Sequence, residues 1–346
     1  MSDLIPVFDG HNDALLRLWN GGRRGLADRF TMAGEGHIDL VRAKAGGLVG
    51  GFFAMFPPPN GTFKMPRFQP PYDIPLAPMM DQKDALAIIM EQAGVAAHLD
   101  RAGLMRLCRT RGELDQAIGD GVMAAILHME GAEAIDADLL VLEALYAAGL
   151  RSLGPVWSRP TIFAHGVPFR YPSDADIGPG LTDAGKRLIA ACSEMQIIVD
   201  TSHLNMAGFD DIASAGLPLV ATHSNAHAVS PGARNLTDRQ LKAIGETGGM
   251  AGLNYGTMFL RPDGRAHPEG ALEHAITHLS HMIEQAGEDH VGLGSDFDGA
   301  PMPDKLQSAA DLPNLVQAMR DHQFGDALIR KICGENWLNF VGRALG

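Results

Sequence analysis

The sequence predicts an α/β fold, a TIM-type (β/α)8 barrel with long loops at the carboxyl ends of its strands, and three observations support this prediction. Short apolar runs alternate with longer segments of helical periodicity, the pattern of parallel strands joined by helices. Eight such runs occur, which is the number of strands in a TIM-type barrel. Three long aperiodic segments directly follow predicted strands. An open doubly wound sheet remains an alternative, because the number of strands does not establish closure.

The predicted strands are short apolar runs that end in polar or turn-forming residues. They span residues 4–8, 47–53, 122–128, 150–156, 196–200, 217–222, 249–254 and 290–294. The predicted helices between them include residues 81–102, 138–148, 182–195, 238–246 and 271–285. Thr182 and Thr237 are expected to cap the amino ends of two of these helices, since each is followed by an acidic residue in the first turn.

Three insertions interrupt the alternation, at residues 57–78, 157–179 and 256–270. Each follows a predicted strand, so in a barrel all three lie on the face where active sites are found. Neither an internal repeat nor a linker divides the sequence. We therefore expect residues 1–346 to form a single barrel domain.

Composition excludes several classes of protein. With 46% hydrophobic and 20% charged residues the chain resembles a soluble globular protein. A net charge of −13 argues against nucleic acid or an anionic membrane as a partner. Cys108, Cys192 and Cys333 form neither a CxxC pair nor a disulfide framework, which is typical of a reducing compartment. Without a signal-like start or an apolar run of about 18 residues, the protein is expected to be cytoplasmic.

A histidine and an aspartate two residues apart, His11 and Asp13, follow the first predicted strand. Alternate side chains of a strand share a face, so both point the same way if the strand continues. An imidazole with a carboxylate suits zinc or a similar divalent ion. A turn in which Asp13 bonds to its own backbone is the alternative that the pair alone leaves open.

Further metal-binding residue types follow other predicted strands. Glu130 follows the third strand, His203 the fifth, His223 the sixth and Asp296 the eighth. Parallel strands of a barrel end at one mouth, so these side chains are expected to meet His11 and Asp13 there. Three histidines and three carboxylates are the typical residues of a hydrolytic centre with two metal ions.

In this order, the motifs resemble those of the membrane dipeptidase family, also called renal dipeptidases, which are zinc-dependent barrels of the amidohydrolase type. The resemblance covers essentially the whole chain. The matching motifs are Asp9-Gly10-His11-Asn12-Asp13, Met129-Glu130-Gly131, Asp200-Thr201-Ser202-His203, Ala221-Thr222-His223-Ser224, Arg234-Asn235-Leu236-Thr237-Asp238 and Gly294-Ser295-Asp296-Phe297-Asp298-Gly299.

The resemblance implies a role for each ligand of a two-zinc centre. His11 and Asp13 would hold one zinc ion, and His203 and His223 the other. Glu130 would bridge the two ions. Such a pair of ions shares one water and lowers its pKa, so that a bridging hydroxide attacks the substrate. Manganese, iron or cobalt would also suit these ligands.

Two further roles follow from the same resemblance. Asp296 matches the residue that takes the proton from the bridging water and passes it to the leaving amine. Asp298 is the alternative residue for this proton transfer, and Asp296 could instead cap a loop. Arg234 matches the residue that binds the terminal carboxylate of the substrate, for which a planar bidentate donor is suited. The alternative is that Arg234 is an ordinary surface arginine.

The sequence departs from the family after the fourth strand, where Trp157 stands in place of a histidine that polarises the scissile carbonyl. Tryptophan can donate one N–H group or form a wall of the pocket, but it cannot carry the charge of an imidazolium. His165, Arg159 or Arg170 from the same insertion could substitute, or the metal could act alone. We expect Trp157 and His165 to contact the substrate.

Most remaining histidines are predicted to be packing or surface residues, whereas His227 is close enough in sequence to His223 to support it. Those predicted to be bystanders are His98, His274, His278 and His281.

The sequence therefore predicts a dipeptidase with two zinc ions that hydrolyses L,L and possibly L,D dipeptides. A metal-dependent hydrolase of another amide, of an N-acyl amino acid or of a lactone is the alternative. An inactive metal-bound binding protein is a third hypothesis, supported only by the missing histidine. Relatives in the family suggest a homodimer.

Overall fold

Parallel strands form a ring at the centre of the molecule. A computed structural model describes residues 4–59 and 67–346. The strands in this part of the chain are β1 (Val7–Asn12), β2 (Leu48–Met55), β3 (Tyr72–Ile74), β4 (Met105–Leu107), β5 (Met123–Glu130), β6 (Leu150–Gly154), β7 (Phe169–Tyr171), β8 (Ile198–Val199), β9 (Val220–Ala221), β10 (Met250–Leu253) and β11 (Val291–Leu293). Each of the eight predicted runs overlaps one strand of the ring.

The ring has the strand order β8-β6-β5-β2-β1-β11-β10-β9, and all of its pairings are parallel. A parallel bridge between Asp200, directly after β8, and Val220 on β9 joins the two ends. The backbone N–H of Thr201 donates to the carbonyl of Val220 at 2.6 Å. The sheet is therefore a barrel, and the open doubly wound alternative is wrong. The short strand β4 pairs beside the first half of β5.

Helices surround the barrel. In the described residues they are α1 (Ala14–Asn20), α2 (Leu26–Thr31), α3 (Leu40–Gly46), α4 (Gln82–Arg101), α5 (Arg111–Gly119), α6 (Leu140–Ala148), α7 (Asp183–Glu194), α8 (Met206–Ser214), α9 (Asp238–Glu246), α10 (Thr257–Leu260), α11 (Ala271–Ala286), α12 (Leu312–Asp321), α13 (Asp326–Arg330) and α14 (Asn336–Leu345). The five predicted helices are α4, α6, α7, α9 and α11. The predicted caps are confirmed, since Thr182 accepts from Gly185 N at 3.0 Å and Thr237 forms a capping box with Gln240.

The barrel interior changes from apolar to polar along its axis. At the amino ends of the strands, the indole of Trp337 from α14 packs against Phe52, with ring centres 5.2 Å apart, and donates to the carbonyl of Leu293. At the carboxyl ends, His11 and His128 are completely buried instead. The apolar side chains around Trp337 close one end of the barrel, so that the polar end is the place for chemistry.

The insertions are not structureless, because two of them pair with each other. Strand β3 of the first and β7 of the second form an antiparallel ribbon, with Tyr72 opposite Tyr171. The third begins with the short helix α10. Residues 60–66 of the first insertion lie outside the described residues. Within the part of the chain that is described, no helix has the length and apolar character needed to cross a membrane.

Candidate metal centre

The five predicted ligands meet at the carboxyl ends of the barrel strands. His11 lies on β1, which extends four residues further than the predicted run, and Asp13 directly follows that strand. Glu130 is the last residue of β5, and His203 and His223 follow β8 and β9. All five are buried. The parallel strands have brought together side chains from four separate parts of the sequence.

The carboxylate of Glu130 divides its two oxygens between two groups of side chains. Its Oε2 atom lies 3.8 Å from Nε2 of His11, which is itself 3.6 Å from Oδ2 of Asp13. Its Oε1 atom lies 3.1 Å from Nε2 of His203 and 3.5 Å from Nε2 of His223. This division is the arrangement that a carboxylate adopts when it bridges two cations.

The donor atoms fit two divalent ions. His11, Asp13 and Glu130 form one group, and Glu130, His203 and His223 form another; within each group the donor atoms lie within 4.8 Å of one another. Both ring nitrogens of His11 and Oδ1 of Asp13 are buried without a hydrogen-bond partner among the described residues. Such atoms are costly to bury unless a ligand satisfies them. Imidazole nitrogens and carboxylate oxygens suit zinc and related metals.

Asp200 also lies close enough to group with His11 and His223. Its carboxylate is already occupied, because it accepts hydrogen bonds from Ser202 N, Thr222 N and the hydroxyl of Thr222. Asp200 therefore supports the ligands rather than adding a further binding position.

Hydroxyl groups contact the Nδ1 atoms of the two histidines of the second group. The Oγ atom of Ser158 is 2.8 Å from Nδ1 of His203. The Oγ1 atom of Thr222 is 2.9 Å from Nδ1 of His223 and 2.7 Å from Oδ2 of Asp200. Partners of this kind fix the ring of a ligating histidine. The sequence contained Thr222 within a matching motif, but no spacing rule linked Ser158 to His203.

Asp296 lies beside the first group of ligands. Its Oδ2 atom accepts from Nδ2 of Asn254 at 2.9 Å, and its backbone N–H donates to the carbonyl of His11. A Cβ atom at Gly299 would overlap Oδ1 of Asp296 and Oδ2 of Asp13, so only glycine leaves this space open. Burial raises the pKa of Asp296, an effect that the nearby His11 opposes.

The rival carboxylate, Asp298, is engaged elsewhere. It accepts from Nε of Arg17 at 2.9 Å and from the backbone N–H of His37 at 2.6 Å. Its two oxygens thus anchor helix α1 and the segment before α3. This geometry favours Asp296 over Asp298 as the group that transfers protons.

Arg234 is buried next to the second group, so the surface-arginine alternative is wrong. Its guanidinium donates to Oγ of Ser224 and to the carbonyl of His223, both at 3.1 Å. It also lies 5.5 Å from the ring centre of Phe259. Burial lowers the pKa of Arg234 to about 10, opposed by Asp296 and Glu130, so the group remains cationic at neutral pH.

Comparison with known proteins identifies the family. The model of the membrane dipeptidase family, peptidase family M19, matches residues 1–344. The chain belongs to this family. A crystal structure of a metallopeptidase from Rhodobacter sphaeroides, liganded with a phosphinate mimic of the dipeptide L-Ala-D-Ala, is 50% identical in sequence with a TM-score of 0.95. That similarity covers 99% of this chain and 100% of the other.

Two further proteins are similar over most of this chain. The crystal structure of a dipeptidase of family M19 gives the same values, with 50% identity, a TM-score of 0.95 and coverage of 99% and 100%. A Klebsiella pneumoniae protein encoded in the 5′ region of pqqA is 42% identical over 261 residues, which is 75% of this chain and 96% of that protein. The chain is thus a metallo-dipeptidase by family.

A cavity of about 320 Å³ opens above the ligands of this dipeptidase. Its lining combines ligand carboxylates with apolar side chains from all three insertions. The residues that line it are Asp13, Leu16, Phe56, Pro58, Pro59, Glu130, Trp157, Phe169, His203, Met258, Phe259, Asp296, Asp298, Gly299 and Ala300. Its size and position are those of a small-molecule site.

Trp157 forms part of the cavity wall. Its side chain is 7% exposed and packs between Phe56 and Phe169, with ring centres 5.1 Å and 5.6 Å away. The ring of His203 lies 5.8 Å from it. The position that the resemblance matches to a carbonyl-polarising histidine therefore holds an aromatic ring beside the candidate ligand His203.

The residues considered as substitutes for that histidine are not among the described residues that line the cavity. Arg159 forms a buried ion pair with Glu133 at 2.5 Å, and Arg170 pairs with Asp73 at 2.7 Å. The imidazole of His165 lies against Gly178, and His165 is not among the described residues that line the cavity. A role for His165 in substrate binding stays a prediction, to which the geometry adds no support.

Two of the other histidines, His278 and His227, have structural partners. His278 is buried, where it accepts from Ala226 N and lies 2.9 Å from the carbonyl of Leu260. His227, expected to be near His223, instead places Nε2 3.0 Å from the carbonyl of Ser173. Both contacts hold loops in place.

Proposed function

We propose that this protein is a two-metal dipeptidase in which Glu130 bridges the ions. The division of the Glu130 oxygens between His11 with Asp13 and His203 with His223 is the observation that carries the proposal. Two divalent ions held there would lower the pKa of a shared water and polarise the substrate carbonyl. We propose zinc as the metal, because the ligands are nitrogen and carboxylate oxygen.

Asp296 is the proposed proton carrier. With Oδ2 held by Asn254, its Oδ1 atom faces the space beside Asp13 that Gly299 leaves open. From there it would accept a proton from the attacking water and deliver it to the amine that leaves.

Arg234 is proposed to attract the carboxylate end of the substrate. The buried guanidinium lies behind Phe259, which lines the cavity, and next to His223. A permanent charge in a buried position acts strongly on an anionic group, since little water screens it. A free carboxylate next to the scissile amide would therefore be oriented toward this end of the cavity.

We propose L,D as well as L,L dipeptides as substrates. The phosphinate bound to the Rhodobacter sphaeroides relative mimics L-Ala-D-Ala, and that protein is 50% identical to this chain with a TM-score of 0.95. The experiment is a panel of L,L and L,D dipeptides beside N-acyl amino acids and lactones, assayed with zinc-loaded protein. Release of both amino acids from dipeptides is the expected result.

The outcomes of that panel separate the remaining hypotheses. Efficient lactone or N-acyl amino acid cleavage with no dipeptide turnover would assign another hydrolase activity. Stoichiometric metal with no turnover of any compound would support an inactive binding protein. An Asp296→Asn variant serves as the control, because it keeps all five ligands and removes the proposed proton carrier.

We also propose a homodimer in the cytoplasm. The free thiols of Cys108, Cys192 and Cys333 are all buried, which suits a reducing compartment. The dimer is suggested by the family resemblance. Light scattering coupled to size exclusion tests the oligomeric state, and a monomeric mass at micromolar concentration would contradict the dimer.

A further inference from the structure

The cavity has one side made of aromatic rings, here called the aromatic wall and formed by Phe56, Trp157, Phe169 and Phe259. The rings follow one another, since Phe56 contacts Trp157, Trp157 contacts Phe169, and Phe169 stacks on Phe259 with centres 6.2 Å apart. All four line the cavity. They form an apolar surface that a substrate side chain can cover.

The aromatic wall lies on one particular side of the metal ligands. Trp157 and Phe169 both contact the ring of His203, and Phe259 contacts the guanidinium of Arg234. His203 is the proposed ligand, and Arg234 the cation, on the side where the carboxylate end of a dipeptide is proposed to bind. The side chain of the carboxyl-terminal residue would therefore face the wall.

A buried ion pair behind the wall keeps it rigid. Arg159 is 1% exposed, pairs with Glu133, and donates to the carbonyl of Pro57 at 2.5 Å. Its guanidinium lies 5.6 Å from the ring of Trp157 and 5.5 Å from that of Phe56. A surface held in this way is organised before the substrate arrives, which favours selectivity.

The four rings of the aromatic wall carry no charge. Among the described residues that line the cavity there is neither lysine nor arginine. Four carboxylates do line it, those of Asp13, Glu130, Asp296 and Asp298. A carboxylate placed against these rings would lose its water of hydration, at a cost in free energy. An apolar side chain would instead bury its surface there.

We propose that Trp157 is a specificity-determining residue, which selects dipeptides whose carboxyl-terminal residue has an apolar side chain. The inference rests on the proposed dipeptidase function. It gives Trp157, which replaces the family's carbonyl-polarising histidine, a role in substrate selection. Burial of a whole leucine side chain is worth roughly 10–150-fold in selectivity, so a leucine should exceed an aspartate by roughly 100-fold.

The test compares kcat/KM for Ala-Leu with kcat/KM for Ala-Asp, both in the configuration that the wild-type enzyme hydrolyses faster. The expected wild-type ratio is about 100. Trp157→Ala should reduce the ratio at least tenfold, and Trp157→Phe should keep most of it. Trp19→Ala is the matched control, because Trp19 lies on α1, donates to Glu91 and lines a separate cavity.

Two outcomes would overturn the inference. One is a wild-type ratio within threefold of unity, a result that needs no variant and so stands even if Trp157→Ala fails to fold. The other is an unchanged ratio in a Trp157→Ala protein that retains its metal. Failure of the proposed function is distinct, since it would appear as no hydrolysis of either dipeptide or of Ala-Ala.

Discussion

At the residue scale, the hydroxyl of Thr222 connects a carboxylate to a metal-ligating histidine. Thr222→Val preserves the shape of the side chain and removes its hydroxyl contacts, to Nδ1 of His223, to Asp200 and to Ser202. We expect metal affinity to fall about 10–100-fold, the usual cost of losing a partner of a ligand. Competition with a zinc chelator measures this loss, and Thr222→Ser is the control that keeps the hydroxyl. Equal affinity in wild type and Thr222→Val would contradict the role.

Asp296 and Asp298 make a second residue-scale comparison. Asp296→Asn should lower kcat about 10²–10⁴-fold with the metal content unchanged, because an amide cannot carry the proton. Asp298→Asn should cost far less kcat, since Asp298 is bound to Arg17 and His37 N. Steady-state kinetics with metal analysis on both variants tests this. A larger kcat loss in Asp298→Asn than in Asp296→Asn would reverse the assignment.

Residue types at strand ends made the ligands predictable, whereas their partners were not. His11, Glu130 and His223 each follow an apolar run, and the barrel fixes where such positions meet. Asn254 also ends a predicted strand, but nothing in its spacing indicates that its amide donates to Asp296. Ser158 lies 45 residues from His203, a contact that only the folded insertion creates.

At the scale of elements, the ion pair of Arg159 with Glu133 connects the segments that follow β5 and β6. Arg159→Met removes one partner and leaves a buried carboxylate uncompensated, so we expect a loss of about 3–5 kcal/mol of unfolding free energy. Urea unfolding followed by circular dichroism measures the loss. The double variant Arg159→Met with Glu133→Leu should recover much of it, and no recovery would argue against the uncompensated charge as the cause.

The elements that the sequence predicted are those with enough residues to show a period. Helices such as α4 and α11 display an apolar face over several turns, and the eight barrel strands are continuous apolar runs. Strands β3 and β7 have three residues each and exist because they pair with each other across the insertions. A pairing between distant three-residue segments leaves no local signal.

At the scale of the whole molecule, the metal ions and the barrel should stabilise each other. The ligands come from β1, β5 and the segments after β8 and β9, so binding requires the closed ring. Removal of metal should lower the melting temperature, since a ligand at 100 times its Kd contributes about 2.7 kcal/mol. Calorimetry before and after chelation measures the change, and an unchanged melting temperature would contradict the coupling.

That residues 1–346 form one domain stays a prediction at this same scale. The barrel closes through a bridge between residues 200 and 220, and the carboxyl-terminal helix α14 plugs the end where the first strand begins. We expect a single cooperative unfolding transition for the metal-loaded protein. Two transitions in calorimetry that separate upon chelation would indicate independent units.

The most direct test of the two-metal dipeptidase is a zinc titration of metal-free protein, followed by hydrolysis of L-Ala-D-Ala. With Glu130 shared between two groups of ligands, activity should be absent at the start and should reach its plateau at two equivalents of zinc per chain. Full activity without metal, or a plateau at one equivalent, would contradict the two-metal centre.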